Sequence, residues 1–282
     1  MRGHVRGVRV SRLLKGITAA CIAVALACGA CALAACSQAK DAGSGTLRVG
    51  VRNDITGFGY LNEQTGKYYG LEIDLATELA SRLGYADVEF STVTPSDRKD
   101  TLQNGDVDCL VACYSVSESR EENFDFSPAY YEDKSVLLVE SSSLIKKLSD
   151  LKGCTIGTMA GTNAAPQLAA KLAEDGFSDG KVLEANDDNS HVVFDNYELR
   201  QYASYDELSQ ALECGEVDAA AMDGAVAQAF LKDNRNIMDY TIATQDYAVA
   251  TQKDSELGSK VSEQVQGMLD DGTVAKLVDK WD

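Results

Sequence analysis

Histidine is nearly absent from this chain of 282 residues, which holds only His4 and His191. Beyond the N-terminal segment His191 stands alone, so chemistry built on imidazole, as a general base or as a metal ligand, has a single residue to rest on. No Cys–His spacing of a zinc site occurs. The acidic stretch Asn186 to Asn196 lacks the Asp-x-Asp-x-Asp-Gly run of a calcium loop and reads as a solvated surface loop. Neither a metal nor a cofactor is expected. Basic charge is short as well: 26 Lys and Arg face 44 Asp and Glu, a formal charge of −18. Such a surface repels phosphate backbones, which proteins grip with clustered Lys and Arg, and nucleic acid is excluded as a partner.

What the chain does have begins with a leader. Met1 to Lys15 carry five basic residues and no acid, Gly16 to Ala35 are small and apolar, and Leu33-Ala34-Ala35-Cys36 closes the segment. That is the pattern of a secretory signal ending in a lipobox, in which Cys36 becomes the first mature residue and carries the lipid. The alternative is an uncleaved membrane anchor. The small residues before Cys36 and the polar tether from 37 to 45 fit cleavage better, and either reading puts the folded part outside the cytoplasm. Without residues 1–36 the count is 21 basic against 44 acidic residues, a formal −23.

Cys21, Cys28 and Cys31 leave with the leader. Cys109 and Cys113 sit four apart in one extended run, about 13 Å at ~3.3 Å per residue, too far to bridge each other. They read as small buried residues. Cys154 starts one apparent strand and Cys214 precedes another; an oxidising location permits a bridge between them, and the sequence leaves it open.

The remaining chain alternates strands and helices. A strand at Leu47 to Arg52 leads through a Gly- and Tyr-rich turn to a helix over Leu71 to Leu83, with Leu71, Leu75, Leu79 and Leu83 on one face. A strand, a helix around Asp97 to Gln103 and a buried strand Val107 to Ala112 follow. Val136 to Glu140 reads as a strand leaving this lobe. A second series runs from Cys154–Thr158 through a helix after Asn163 to Val217–Met222, and Tyr247 to Thr251 precedes two closing helices. Such alternation makes parallel sheets covered by helices.

The most telling stretch is Arg98 to Tyr131. A helix ends at Asn104-Gly105, the buried strand follows, and the hydroxyl-rich loop Tyr114 to Ser119 delivers Arg120. In open parallel sheets ligands sit outside the carboxyl ends of strands, where a guanidinium can fork two hydrogen bonds onto a carboxylate. This stretch resembles the extracellular solute-binding proteins of amino-acid ABC transporters. Their Gly-x-x-Asp strand, Thr-x-Thr-x-x-Arg loop and Phe-Ser-x-Pro-Tyr-Tyr segment correspond to Gly105–Asp108, Ser115–Arg120 and Phe126–Tyr131. The opening L-R-V-G-V-R-N-D, the G-L-E-I-D-L-A-T-E-L-A helix, I-G-T-M-A-G-T-N, G-E-V-D-A-A-A-M-D and the closing D-D-G-T-V-A-K-L-V-D-K-W recur in family order, so the likeness covers nearly everything after Thr46.

The resemblance implies an α/β, two-lobed periplasmic-binding-protein fold of type II, two parallel-type sheets joined by a two-strand hinge around a central cleft. Lobe one would take residues 46–140 plus 247–282, and lobe two 141–246. By the same resemblance Arg120 clamps the α-carboxylate of a free amino acid with help from Ser115, while Asp223 and the Cys113 carbonyl receive the α-ammonium. Thr162 donates to a carboxylate from lobe two. Arg52 and Arg98 occupy positions that are basic in aspartate- and glutamate-binding members, and Phe58, Tyr60 or Tyr114 is a candidate aromatic wall. Each residue has a plainer alternative. Asp223 reads as a helix cap, Thr162 or Asn163 as an N-cap, and Arg98 as a surface partner of Asp97 or Asp100. The chain departs from the pattern with Ser115 and Ser117 for threonines, Cys113 before Tyr114, and Ile55 where an aromatic is frequent.

The implied function is a lipid-anchored, monomeric receptor that binds glutamate or aspartate and hands it to an ABC permease and its ATPase, without being an enzyme. The alternative is an enzyme of the same fold, such as a dehydratase of cyclic amino-acid precursors, which needs an acid or base of suitable pKa in the cleft.

Overall fold

The computed structural model describes residues 45–281; the leader 1–36 with Cys36 and nearly all of the tether lie outside the described residues. In chain order, β1 (Thr46–Val51) is followed by a small antiparallel sheet of β2 (Asp54–Ile55), β3 (Gly59–Asn62) and β4 (Lys67–Tyr69). Then come α1 (Leu71–Arg82), β5 (Asp87–Thr92), α2 (Arg98–Gln103), β6 (Cys109–Val111), α3 (Glu118–Glu121), β7 (Phe124–Phe126) and β8 (Tyr131–Glu140). The series continues with β9 (Cys154–Met159), α4 (Ala164–Glu174), β10 (Glu184–Ala185), β11 (His191–Val193), β12 (Tyr197–Tyr202), α5 (Tyr205–Cys214) and β13 (Ala219–Asp223). It ends with α6 (Gly224–Ala229), β14 (Arg235–Ile237), β15 (Ala243–Tyr247), β16 (Ala250–Gln252), α7 (Glu256–Asp270) and α8 (Thr273–Trp281).

Two main sheets make two lobes. The first has the order β5-β1-β6-β16-β7, with β1 parallel to β5 and β6, and β16 antiparallel to its neighbours. Leu47, Val49 and Val51 alternate into its core, while Leu71, Leu75 and Leu79 recur one turn apart along α1 and pack on the same cluster. Truncating Leu75 or Leu79 to Ala costs about 2–5 kcal/mol through lost burial and a residual cavity. The closing helices pack here too: Arg82 of α1 pairs with Asp271 at 2.8 Å, and Trp281 Nε1 donates to Asp74 at 2.7 Å. Gly70, at φ 131°, leads into α1 where an added Cβ would lie 2.0 Å from the Phe58 carbonyl oxygen, a place open only to glycine.

The second sheet runs β10-β11-β12-β9-β13-β8-β14, with β15 also on β8; only β12, β9 and β13 are mutually parallel. The parallel strands thus run from one edge to the middle of the first sheet and occupy the middle of the second. The chain passes between the sheets twice, between β7 and β8 and between β15 and β16. These passages bond to each other: Ser127 N donates to Val249 O and Tyr130 N to Tyr247 O, both at 2.9 Å.

Some elements differ from the sequence reading. The strand expected from Val136 starts at Tyr131, because its polar first half pairs with β15 in full register from Tyr131↔Tyr247 to Ser135↔Ala243. The stretch 186–196 is not a plain loop. It builds an antiparallel extension in which His191↔Arg200 and Val193↔Glu198 pair, and His191 Nε2 lies 2.9 Å from Glu198 Oε2. Cys109, Cys113, Cys154 and Cys214 are all free. Among the described residues no helix is long and apolar enough to cross a membrane, and no group of His, Cys, Asp and Glu is arranged to hold a metal ion.

Candidate functional site

The carboxyl ends of the central strands bring two sets of side chains to one place. From the first lobe β1 delivers Arg52, α2 opens with Arg98, β6 runs out into Cys113 and Ser115, and α3 carries Arg120. From the second, β9 ends before Thr162 and Asn163, α5 opens with Tyr205, β13 ends on Asp223 and β15 contributes Gln245. All of these line one cavity, with Ile55 and Val226 as its apolar members. It is narrow, ≈ 10 Å³, room for about one water. The lobes touch across it. Asn163 Nδ2 donates to Ser115 Oγ at 3.2 Å, and Gly161 at φ 75° packs so tightly on Pro95 that a Cβ would sit 2.5 Å from its carbonyl oxygen.

The first-lobe side is cationic. Arg120 Nη1 donates to the Ser115 carbonyl at 2.7 Å and to its hydroxyl at 2.8 Å. Arg98 is 3 % exposed and donates to the Ala112 and Cys113 carbonyls at 2.7 and 3.2 Å, so its pairing with Asp97 or Asp100 on the surface is overturned. Arg52, 2 % exposed, is paired with Asp54 at 2.6 Å. The Nε atoms of both Arg52 and Arg98 are buried without a partner. Burial, and then the like charge of Arg98, push the Arg120 guanidinium down to about 10; burial and Arg52 lower Arg98 as well. Burial also opposes the Arg52 cation, but Asp54 together with Tyr205 and Cys113 more than offsets it and leaves that group raised.

Tyr114 is not a wall of the cavity. Buried at 3 % exposure, its ring carries the guanidinium carbons of Arg98 and Arg120 at 4.4 and 4.3 Å from its centroid, so its π face stabilises two like charges held close together. Behind them lies Glu72, fully buried, whose Oε1 accepts the Cys113 N–H at 2.6 Å and the Tyr130 hydroxyl. This grip holds Cys113 at φ 45°, a left-handed conformation that a cysteine rarely adopts, and turns its carbonyl towards Arg98. Burial pushes the Glu72 carboxyl up.

The second-lobe side is anionic. Asp223 stands at the N-cap position of α6 yet makes no side-chain cap bond, so the helix-cap reading fails. Its Oδ1 accepts from Ser135 Oγ at 3.0 Å and its Oδ2 from the Tyr247 hydroxyl at 2.8 Å. Burial raises its carboxyl, the two hydroxyls oppose that, and the nearby Asp133 adds to it. Gln245 Nε2 donates to Ser135 Oγ and to Gln167 Oε1, both at 2.6 Å. Thr162 lines the cavity; its hydroxyl donates to the Met159 carbonyl at 2.7 Å and accepts the Ala164 N–H at 3.4 Å.

The cavity thus sets cations on its first-lobe side against a carboxylate on its second-lobe side. The family model for bacterial extracellular solute-binding proteins, family 3, matches residues 47–282. The chain belongs to that family. The glutamine-binding protein GlnH of Bacillus subtilis is 29 % identical over 82 % of this chain and 79 % of its own length. The L-glutamate/L-aspartate-binding protein of Pseudomonas aeruginosa is 26 % identical over 84 % and 77 %. Among solved structures, an ancestral arginine-binding protein bound to arginine superposes with a TM-score of 0.69 at 31 % identity, covering 84 % of this chain and 97 % of that one.

Sequence reasoning found most of this solute-binding protein's cavity but passed over Tyr205, Gln245, Ser135, Glu72 and Tyr247. The signal for three of these is alternation. Tyr131, Asp133 and Ser135 share one face of β8, and Gln245 and Tyr247 share the matching face of β15 in register with them. Tyr205 and Glu72 open helices, and their roles rest on contacts across the fold.

Proposed function

We propose that this solute-binding protein is the receptor of an amino-acid ABC importer and that it captures an acidic amino acid, glutamate or aspartate. The observation that carries the choice of ligand is Arg98, a buried guanidinium paired only with carbonyl oxygens, beside Arg120 in the cavity that also contains Asp223. Burying a cation without an anion costs several kcal/mol, roughly, even after relaxation. A ligand with two carboxylates offsets this at Arg98 and Arg120 and places its ammonium at Asp223. A neutral side chain leaves Arg98 without a counter-charge, and a cationic one, as on the arginine of one structural relative, meets Arg98 and Arg52 directly.

In this reading lobe one comprises 46–140 with 247–282, lobe two 141–246, and the paired passages at Ser127–Tyr130 and Tyr247–Val249 flex to close the cleft. Cys36 carries a lipid that tethers the receptor, as a monomer, to the outer face of the cell membrane beside its permease. Binding rather than turnover is favoured because the cavity carboxylate Asp223 and the buried Glu72 are both held by fixed donors from this chain.

Calorimetric titration with the common amino acids, after unfolding and refolding to strip carried-over ligand, tests the reading. Tight binding of glutamate or aspartate supports it. Binding of neutral or cationic amino acids alone removes the role given to Arg98 and Arg52, and no binding of any amino acid brings the dehydratase forward.

A further inference from the structure

Asp223 poses a physical question. It occupies the N-cap position of α6, where an aspartate ordinarily turns back onto the first helical N–H groups, yet its carboxylate points into the cavity. The capping is done from another strand. Asp133 of β8 accepts the Ala225 N–H on Oδ2 at 3.0 Å, while its Oδ1 is held by the Lys134 N–H at 2.7 Å. Gly224 makes room for this: an added Cβ would lie 2.8 Å from Asp133 Oδ1. Between the two carboxylates stands Tyr247, fully buried, its hydroxyl 2.8 Å from Asp223 Oδ2 and 3.1 Å from Asp133 Oδ2, with one hydrogen to share. Its backbone meanwhile bridges to Ser115 and accepts the Tyr130 N–H. One residue therefore touches the anionic group of the second lobe and the loop that holds Arg120.

We infer that Asp133 and Tyr247 are positioning residues for recognition of a ligand ammonium: Asp133 caps α6 in place of Asp223, and Tyr247 fixes the carboxylate so released at the cavity wall. This rests on the reading of Asp223 as the ammonium acceptor. Without Asp133 the Asp223 side chain turns back to cap its own helix; without the Tyr247 hydroxyl it loses the donor on the oxygen nearest Asp133. Both changes act on the amine end of the ligand and leave the carboxylate clamp alone.

The test compares amino acids with amine-free analogues by calorimetry on the full chain in mild detergent: L-glutamate with glutarate, L-glutamine with glutaramate, and L-arginine with 5-guanidinopentanoate. In Asp133→Ala and Tyr247→Phe, affinity for the amino acid that the wild type binds is expected to fall ~10-fold or more, the scale of one hydrogen bond to a charged group. Affinity for its analogue stays within about twofold, because the analogue has nothing to place at Asp223. Asp133→Asn, which retains a cap acceptor, restores most of the loss seen in Asp133→Ala. Equal losses for amino acid and analogue, in variants whose melting shows them folded, overturn the positioning role. A wild type that fails to prefer the amine-bearing member of its pair, or binds none of the six, overturns the reading of Asp223 and the inference with it. A preferred pair other than glutamate and glutarate removes the acidic ligand but leaves the positioning test standing.

Discussion

On the first lobe three guanidiniums converge with one carboxylate, Asp54, paired to one of them, whereas on the second a lone cavity carboxylate, Asp223, is surrounded by hydroxyls and, through Ser135, an amide. The cations are steadied by carbonyl oxygens and the face of Tyr114; the anion is steadied by O–H donors. Arg52 is neutralised by Asp54, but around Arg98, Arg120 and Asp223 these partners fix geometry without cancelling charge, and in the proposed function a zwitterionic ligand supplies the missing counter-charges. An ion pair between the faces would have stabilised the empty protein and competed with the ligand. Apart from Arg52, the groups assigned to the ligand in the proposed function are held by partners that do not neutralise them.

The comparison breaks most readily at Arg120. Arg120→Ala is expected to weaken every amino-acid ligand by ~30-fold or more, since truncating one partner of a buried charged pair costs about 2–5 kcal/mol; titration that finds a loss below tenfold moves the carboxylate clamp elsewhere. Arg98→Met sharpens the contrast between the cations. Glutamate affinity is expected to fall ~10- to 100-fold while glutamine affinity is unchanged or higher, because only the dicarboxylate uses that charge.

The anionic face makes a prediction in pH. The Asp223 carboxyl is raised by burial, so it takes up a proton at a pH above that of an ordinary carboxyl, and its affinity for an ammonium declines as pH falls through that raised value. The stability of the unliganded protein responds with opposite sign. A folded-state value above the unfolded one means that the ionised group opposes folding at neutral pH, and that opposition is relieved on acidification. Dissociation constants and melting temperatures followed from pH 7 downward should diverge in this way, the divergence disappearing in Asp223→Asn.

The smallest effect lies away from the cleft. Asp271, lowered to about 2 by Thr273 and Arg82, contributes stability that is fully present above the unfolded carboxylate range and lost as pH falls towards about 2. Asp271→Asn is therefore expected to lower the melting temperature slightly at pH 6 and by progressively less as the pH approaches 2.

How far the sequence reading reached follows the same division. Arg52, Arg98, Arg120, Ser115 and Asp223 lie at strand ends or helix starts, where hydrophobic runs announce the element and the next polar residue marks its mouth. Such positions are legible without contacts. The supports are not. Tyr131 to Ser135 looks like a loop because its outer residues, Glu132 and Lys134, are charged, so the strand carrying Asp133 and Ser135 is visible only once β15 is seen paired to it. Tyr114 reads as a candidate wall because nothing local says that two guanidiniums will share its ring. The hydroxyl of Thr162 spends its hydrogen on a carbonyl three residues back, a choice that depends on the turn's geometry and not on its composition.

Cys113 gives the molecule a clock of its own. The thiol forms part of the cavity wall at 5 % exposure, and burial holds its pKa well above the ordinary range, so it alkylates slowly while the lobes are together. Cys214 stands in the open on the far end of α5 and serves as an internal standard. The ratio of labelling at the two sulfurs, read by mass spectrometry, measures the fraction of time the lobes spend apart with no engineered probe.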